Sequence, residues 1–219
     1  MGEIKVAEAD ETKNSKPENY KQIKPEGQHS PESSRDFIRN NFMANAEVKP
    51  DEPRREFVDG HMQYYDDNGE IFRVDDELKP NSEYMLNGYH YETDSQGRIV
   101  TAEGKLQLKE RDERLMIRDD LHEIGKGDEQ KGDDRGHLIG DRFNGSNGLE
   151  NMIPQDSKIN QTDYRNFENK LAKEVQAGKD VRVKIEPEYT NDSHRPDSIC
   201  VTYSIDGEKN IRIFPNGKD

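Results

Sequence analysis

The chain has 219 residues, of which 29% are hydrophobic and 37% charged, with a formal net charge of −14. That composition leaves room for one domain of modest core plus a tail, and no stretch reaches the roughly 20 apolar residues of a membrane span. It also speaks against a chain that is basic throughout, the usual profile of a nucleic-acid binder. The acidity is uneven, however. Residues 131–219 hold 14 Lys and Arg against 16 Asp and Glu, a balance of −2, whereas residues 1–130 hold 19 against 31, a balance of −12.

Residues 1–55 mix Lys, Glu, Pro, Ser and Asn with almost no apolar periodicity, so they are expected to form a flexible polar tail or linker ahead of a folded domain over 56–219. A short amphipathic helix is expected within it, at 36–42. No apolar run of signal-peptide length opens the chain, so a secreted protein would leave by a route that needs no cleavable signal and be cytoplasmic before export. From about residue 60 the texture changes to short strands and turns. His61–Tyr65 and Glu70–Val74 flank Asp66-Asp67-Asn68-Gly69 as a hairpin. A second hairpin alternates Tyr89, Tyr91 and Thr93 on one face, turns at Ser95-Gln96-Gly97 and returns through Arg98–Thr101. Lys105–Leu108 reads as a third strand, and the charged run Glu110–Ile124 as a helix or broken helix ending at Gly125.

After an exposed Gly- and Asp-rich loop, a short strand is expected from Arg135 to Ile139, followed by a turn near Asn144-Gly145-Ser146-Asn147-Gly148. The strongest helix signal comes next, with Phe167, Leu171 and Val175 recurring every four residues and Gly178 as the stop. Strands at Val181–Ile185, Ser198–Ile205 and Asn210–Phe214 finish the chain. Cys200, the lone cysteine, excludes an internal disulfide, and its place in Ile199-Cys200-Val201 suggests a small buried thiol. The fold class is α+β, an antiparallel sheet with one long helix against it.

The stretch Asp133–Glu168 concentrates the chemistry. His137 follows Gly136, whose missing side chain lets the backbone turn closely so that the imidazole can project from a strand end into a cleft. An imidazole near its ordinary pKa of about 6.5 is suited to taking a proton from water. Arg135 lies two residues earlier and shares the same strand face. It could grip a scissile phosphate, or pair with Asp133, Asp134 or Asp141; the sequence leaves both roles open, and Asp134 could simply anchor the turn. Asn160 and Glu168 would lie on the long helix, about 12 Å apart along its axis if it is regular, too far for both to ligate one ion. A consistent arrangement has the Asn160 carbonyl oxygen on a mostly hydrated Mg²⁺ while Glu168 accepts hydrogen bonds from its waters. Taken singly, Asn160 would read as a helix cap and Glu168 as a surface carboxylate.

The blocks Asp134-Arg135-Gly136-His137, Asn151-Met152-Ile153-Pro154-Gln155, Lys158-Ile159-Asn160 and Phe167-Glu168-Asn169 resemble the DNA/RNA non-specific endonuclease family, whose site is a ββα-metal (His-Me) finger. Asn87–Asp94 and Gly97-Arg98 resemble the branch found at the ends of bacterial polymorphic and type VII secreted toxins. The resemblance covers about residues 80–190. It implies an enzyme in which His137 is the general base, Asn160 the protein ligand of one Mg²⁺ or Mn²⁺, and Arg135 a phosphate contact. It further implies that Glu168 stands behind the metal, that Asn151, with Asp134 and Gly136, positions the site, and that the products carry 5′ phosphates. A second arginine is expected among Arg98, Arg142 and Arg165, and a positive path along Lys158, Arg165, Lys170 and Lys173. The expected partners are DNA, RNA as a second substrate, and a cognate immunity protein. The alternative is a non-catalytic nucleic-acid-binding or antitoxin-like module on the same fold; a structural surface protein is a third reading.

Overall fold

Turn residues divide this chain into antiparallel hairpins. The computed structural model describes residues 52–217, so the helix expected at 36–42 and the tail up to residue 51 lie outside the described residues. β1 (Arg54–Val58) begins within the expected tail and pairs with β2 (His61–Tyr65). β3 (Ile71–Val74) and the short β4 (Glu77–Leu78) complete a four-stranded sheet in the order β1-β2-β3-β4. The expected hairpin over 61–74 is present. Its turn is tied by the Asp66 carboxylate, which accepts the backbone N–H groups of Asn68 and Glu70 at 2.9 Å.

The second sheet contains β5 (Glu83–Leu86), β6 (Tyr89–Thr93), β7 (Ile99–Lys105), β10 (Val181–Glu188), β11 (Ser198–Ile205) and β12 (Glu208–Pro215). Its order is β12-β11-β10-β7-β6-β5, antiparallel throughout. Asn87-Gly88 joins β5 to β6 with φ of +54° and +79°, and Asp206-Gly207 joins β11 to β12 with +50° and +88°. Positive φ at both central positions matches the twist of a two-residue hairpin. The alternation of Tyr89, Tyr91 and Thr93 buries all three. The same alternation corrects the reading of Cys200: Ile199 and Val201 face the core, while Cys200 faces the other way and is only half-buried.

Two further expectations change. The third strand is a continuation of β7, which ends at Lys105; Leu106 still donates its N–H to the Val181 carbonyl of the sheet at 2.8 Å, and Gln107 and Leu108 run on past it. The charged run Glu110–Ile124 is helical only at its end, in α1 (Leu121–Gly125), which Asp120 and Glu123 close with reciprocal side-chain to backbone bonds. Ahead of it the chain is an extended strap. Lys109 and Arg111 bind Asp141 at 2.8 and 2.7 Å, Arg118 binds Glu150, and Leu115 is buried. Those long-range contacts outweigh a helix preference worth only tenths of a kcal/mol per residue.

β8 (Asp133–His137) and β9 (Met152–Asp156) form a separate antiparallel pair, with β8 starting two residues before the expected Arg135 and ending at His137. From Ser157 the chain is helical through Gln176, as its pattern predicted, but Ile159–Tyr164 is a π segment ahead of the regular α2 (Arg165–Gln176). Phe167 of α2 meets Tyr203 and Phe214 with ring centres 5.1 and 5.5 Å apart, and Leu171 is buried. Burial of such side chains stabilises the fold by about 1.5–3 kcal/mol each and fixes the helix on the large sheet. A second aromatic stack, Phe72 on Tyr84 on Tyr91 at 4.7 and 5.0 Å, joins the small sheet to the large one.

Candidate active site

His137 is the last residue of β8, and the loop that follows it folds back around it. Asn151, wholly buried, staples that loop: its Nδ2 donates to the carbonyls of Ile139 at 2.7 Å and Ser146 at 2.8 Å, and its Oδ1 accepts the Ile139 N–H at 2.9 Å. The closed loop sets Asn147 against His137, with Nε2 and Oδ1 2.9 Å apart. The other end of the Asn147 amide points at Asp141 Oδ1, 3.2 Å away. A carboxylate accepts only from the NH₂ group, so the amide oxygen faces the imidazole and Nε2 carries the proton. Nδ1 is therefore the nitrogen with a free lone pair. Burial pushes the His137 pKa below its ordinary value, opposed by the Asn147 bond; nearby Arg114 and Arg135 also lower it, and Asp141 raises it. The ring is thus neutral at neutral pH.

Gly136 has a different reason from the one expected. It sits mid-strand opposite Ile153, and a Cβ there would lie 2.3 Å from Gln155 Oε1, so the glycine admits the Gln155 side chain instead of bending the chain.

His137 opens on a cleft of about 460 Å³ that Asn160 and Glu168 also line. Five cations border it, Lys109, Arg114, Arg135, Arg142 and Arg165, against two carboxylates, Asp141 and Glu168. Arg135 and His137 share this face, as the strand alternation required. Arg135 donates to the backbone oxygen of Asp119 at 3.2 Å and to none of the three aspartates considered as partners. Of the candidate second arginines, Arg142 and Arg165 line the cleft, whereas Arg98 is held by Asp94 and by the carbonyls of Asn191 and Ser193. Lys158, Lys170 and Lys173 are not among the lining residues.

Asn160 donates from Nδ2 to Asp134 Oδ2 at 3.1 Å, and Gln161 donates to the same oxygen at 2.7 Å. Asp134 thereby orients the Asn160 amide and leaves its carbonyl oxygen as the atom able to meet a cation. Glu168, its side chain 18% exposed, has Arg142 Nε 3.9 Å away. Burial raises its pKa from 4.5 to about 7, with Arg142 and Arg114 pulling downward and Asp141 upward. One neutral oxygen and one desolvated carboxylate suit a hard cation that keeps most of its water, such as Mg²⁺. A separate trio of ligand types, Glu83, His90 and Glu92, has its ligand atoms within 4.8 Å of one another but lies on the β5–β6 hairpin, away from the cleft.

The π segment reconciles Asn160 with Glu168. Eight residues of regular α-helix at about 100° each would leave the two side chains about 80° apart around the axis, whereas one extra residue taken up by a π turn reduces this to about 20°. Both can then face the same cleft, which a regular helix would not allow as well.

The raised Glu168 pKa fixes a pH dependence. A carboxyl with a folded pKa of about 7 and an ordinary one of 4.5 contributes stability fully below 4.5, and that contribution is lost as pH rises through 7. In the presence of chelator, Glu168→Gln therefore raises stability at pH 8 by on the order of 1–3 kcal/mol, and the gain disappears near pH 4. Thermal melts of both proteins at the two pH values check this; an equal or lower melting point for the variant at pH 8 contradicts it.

Sequence reasoning missed Asn147, which lay within a stretch read as turn, and Arg114, which lay in a run read as helix; it named Asp141 only as an alternative partner of Arg135 and gave Lys109 no role at the site. Arg114 carried no local signal, because only the long-range course of the strap brings it to His137.

Comparison with known proteins gives two findings. A sequence model of DNA/RNA non-specific endonucleases matches residues 80–207. The type VII secretion system protein EssD of Staphylococcus aureus, in strains USA300 and NCTC 8325 / PS 47, is 35% identical over 147 residues, which is 64% of this chain and 24% of the relative. The chain thus spans about a quarter of the length of these relatives.

Proposed function

The chain belongs to the DNA/RNA non-specific endonuclease family, and from that premise we propose that it hydrolyses the phosphodiester bonds of DNA, and of RNA as a second substrate, with Mg²⁺ or Mn²⁺ as cofactor. Nucleases of this family are generally metal-dependent. The observation that carries the reading is the joint lining of one basic cleft by His137, Asn160 and Glu168. In this reading β8, β9 and the helix from Ser157 serve as the ββα unit of such a site.

In this reading His137 is the general base. Its Nδ1 takes a proton from the attacking water while Nε2–H stays on Asn147, and the imidazolium that forms is stabilised by the Asp141 carboxylate behind the amide. Arg135 and Arg114 hold the scissile phosphate, where fixed guanidinium groups neutralise charge as it builds in the transition state. Asn160 Oδ1 would hold the cation and Glu168 would accept hydrogen bonds from its waters; when bound, the cation neutralises charge on the phosphate and the leaving oxygen. Asp134 keeps Asn160 oriented and Asn151 keeps the loop closed. The excess of cations around the cleft offsets locally the acidity of the front half, and non-specific affinity comes from such phosphate contacts.

The likeness to EssD supports a role as a secreted toxin domain delivered by a type VII system, and an immunity protein that protects the producer is the partner such a role requires. Among the described residues no helix is long and apolar enough to cross a membrane.

The test is incubation of the purified chain with supercoiled plasmid, and separately with RNA, in Mg²⁺, in Mn²⁺ and with EDTA. Cleavage to 5′-phosphorylated products is expected with either metal, abolished by EDTA and regained on adding Mg²⁺. A plasmid left intact under both metals, or cut equally in EDTA, would sink the reading.

A further inference from the structure

We propose that Arg73, on β3 and outside the family-matched segment, is a positioning residue for the nuclease reaction, because it fixes the loop that presents Asn147 to His137. The inference rests on His137 being the general base.

Arg73 is 3% exposed, and its guanidinium lies 4.3 Å from the centre of the Tyr64 ring. Four hydrogen bonds hold its fork. Nη2 and Nη1 donate to Asp119 at 2.6 and 3.0 Å, Nη1 also donates to Glu150 at 3.1 Å, and Nε donates to the Asp75 carbonyl at 2.6 Å. Both acids continue into the loop before β9. Asp119 Oδ2 accepts the Leu149 N–H at 2.6 Å. Glu150, with no exposed surface, accepts the Ser146 hydroxyl and the Arg118 guanidinium. The backbone N–H of Arg118 then donates to the Asn147 carbonyl at 3.0 Å. Asn147 is therefore bracketed: Ser146 before it and Leu149 and Glu150 after it are tied to two carboxylates that meet on Arg73.

The chemistry explains why arginine stands there. Two buried carboxylates in one cluster repel unless cations lie between them, and removing a partner from such a cluster leaves an uncompensated charge that tends to pull the segment apart. A planar fork can serve two carboxylates and a carbonyl at fixed angles, which a lysine ammonium on a flexible stem does less well. The hydrogen bond that selects the His137 tautomer depends on where Asn147 sits. A displacement of about 1 Å at a catalytic group can lower the rate by about 100-fold. The small sheet thus supplies a fastener for the active-site loop from a part of the chain that the family match does not cover.

The experiment compares wild type, Arg73→Lys, Asn147→Ala, the double variant and His137→Ala on plasmid DNA in Mg²⁺, with melting points and circular dichroism recorded for each. Arg73→Lys is expected to fold, to lower kcat on the order of 10- to 100-fold with KM little changed, and to add nothing further when Asn147 is already alanine. A folded Arg73→Lys with wild-type kcat, or a loss that multiplies with that of Asn147→Ala, overturns the proposal and leaves Arg73 a stabilising residue only. Should Arg73→Lys fail to fold, Asp119→Asn carries the same comparison, since its amide oxygen still serves the Leu149 N–H while the link to Arg73 weakens. Full activity in His137→Ala overturns the general-base reading itself, a result distinct from wild-type kcat in Arg73→Lys.

Discussion

His137→Ala lowers kcat on plasmid DNA by roughly 10²–10⁴-fold, the usual worth of a placed general base. The reason lies in the two ends of the ring. Nε2 is committed to Asn147, so the imidazole cannot rotate to offer that nitrogen, and Nδ1 is left without a proton. Burial keeps the ring neutral. A group held unprotonated can accept a proton at pH values below the ordinary imidazole range, so kcat in the wild type should rise with pH to a plateau reached before neutrality. Single-turnover rates across pH 5–8 check both statements. If the alanine variant turned over at the wild-type rate, or the wild type had no acidic limb, His137 would not be the base.

Asn160→Ala should raise the Mg²⁺ concentration needed for half-maximal rate by at least the roughly 10–100-fold that loss of an outer partner causes at other metal sites. Asn160→Asp is the sharper comparison. It adds a negative charge, which on charge counting alone should tighten the metal, but it loses the NH₂ that donates to Asp134 at 3.1 Å and sets two carboxylates face to face. Like charges so placed disfavour double ionisation. The aspartate variant is therefore expected to need more Mg²⁺ than the wild type below pH 6 and to recover as the pH rises. Tighter binding at every pH would show that Asp134 does not orient the ligand.

Much of the site could be read directly because it rests on short-range periodicity. Two residues apart on a strand placed Arg135 and His137 on one face, and four-residue recurrence placed Phe167 and Leu171 on the buried side of α2. Asn151 was expected to position the site, and its bonds to Ile139 and Ser146 show how it closes the loop. What escaped depends on contacts far along the chain. The strap over 106–119 has a helix-like composition, yet its shape is set by Asp141 and Glu150, more than 30 positions away in two of its ion pairs. The π segment escaped for another reason: hydrophobic spacing reports which residues are buried and is insensitive to a single residue looped into the helix on its exposed side.

That inserted residue has a consequence for how the chain can vary. Thr162 and Asp163 are exposed, so their identities are weakly constrained by packing. The number of residues between Asn160 and Glu168 is tied to the helix type that carries them. Removing one would return the segment to an ordinary helix in which seven residues at about 100° each still leave the two side chains within about 20° of one another, while every core contact of α2 stayed available. Descendants of this sequence can therefore shed that one residue and keep the two side chains aligned, whereas straightening the helix at its present length would turn them about 80° apart.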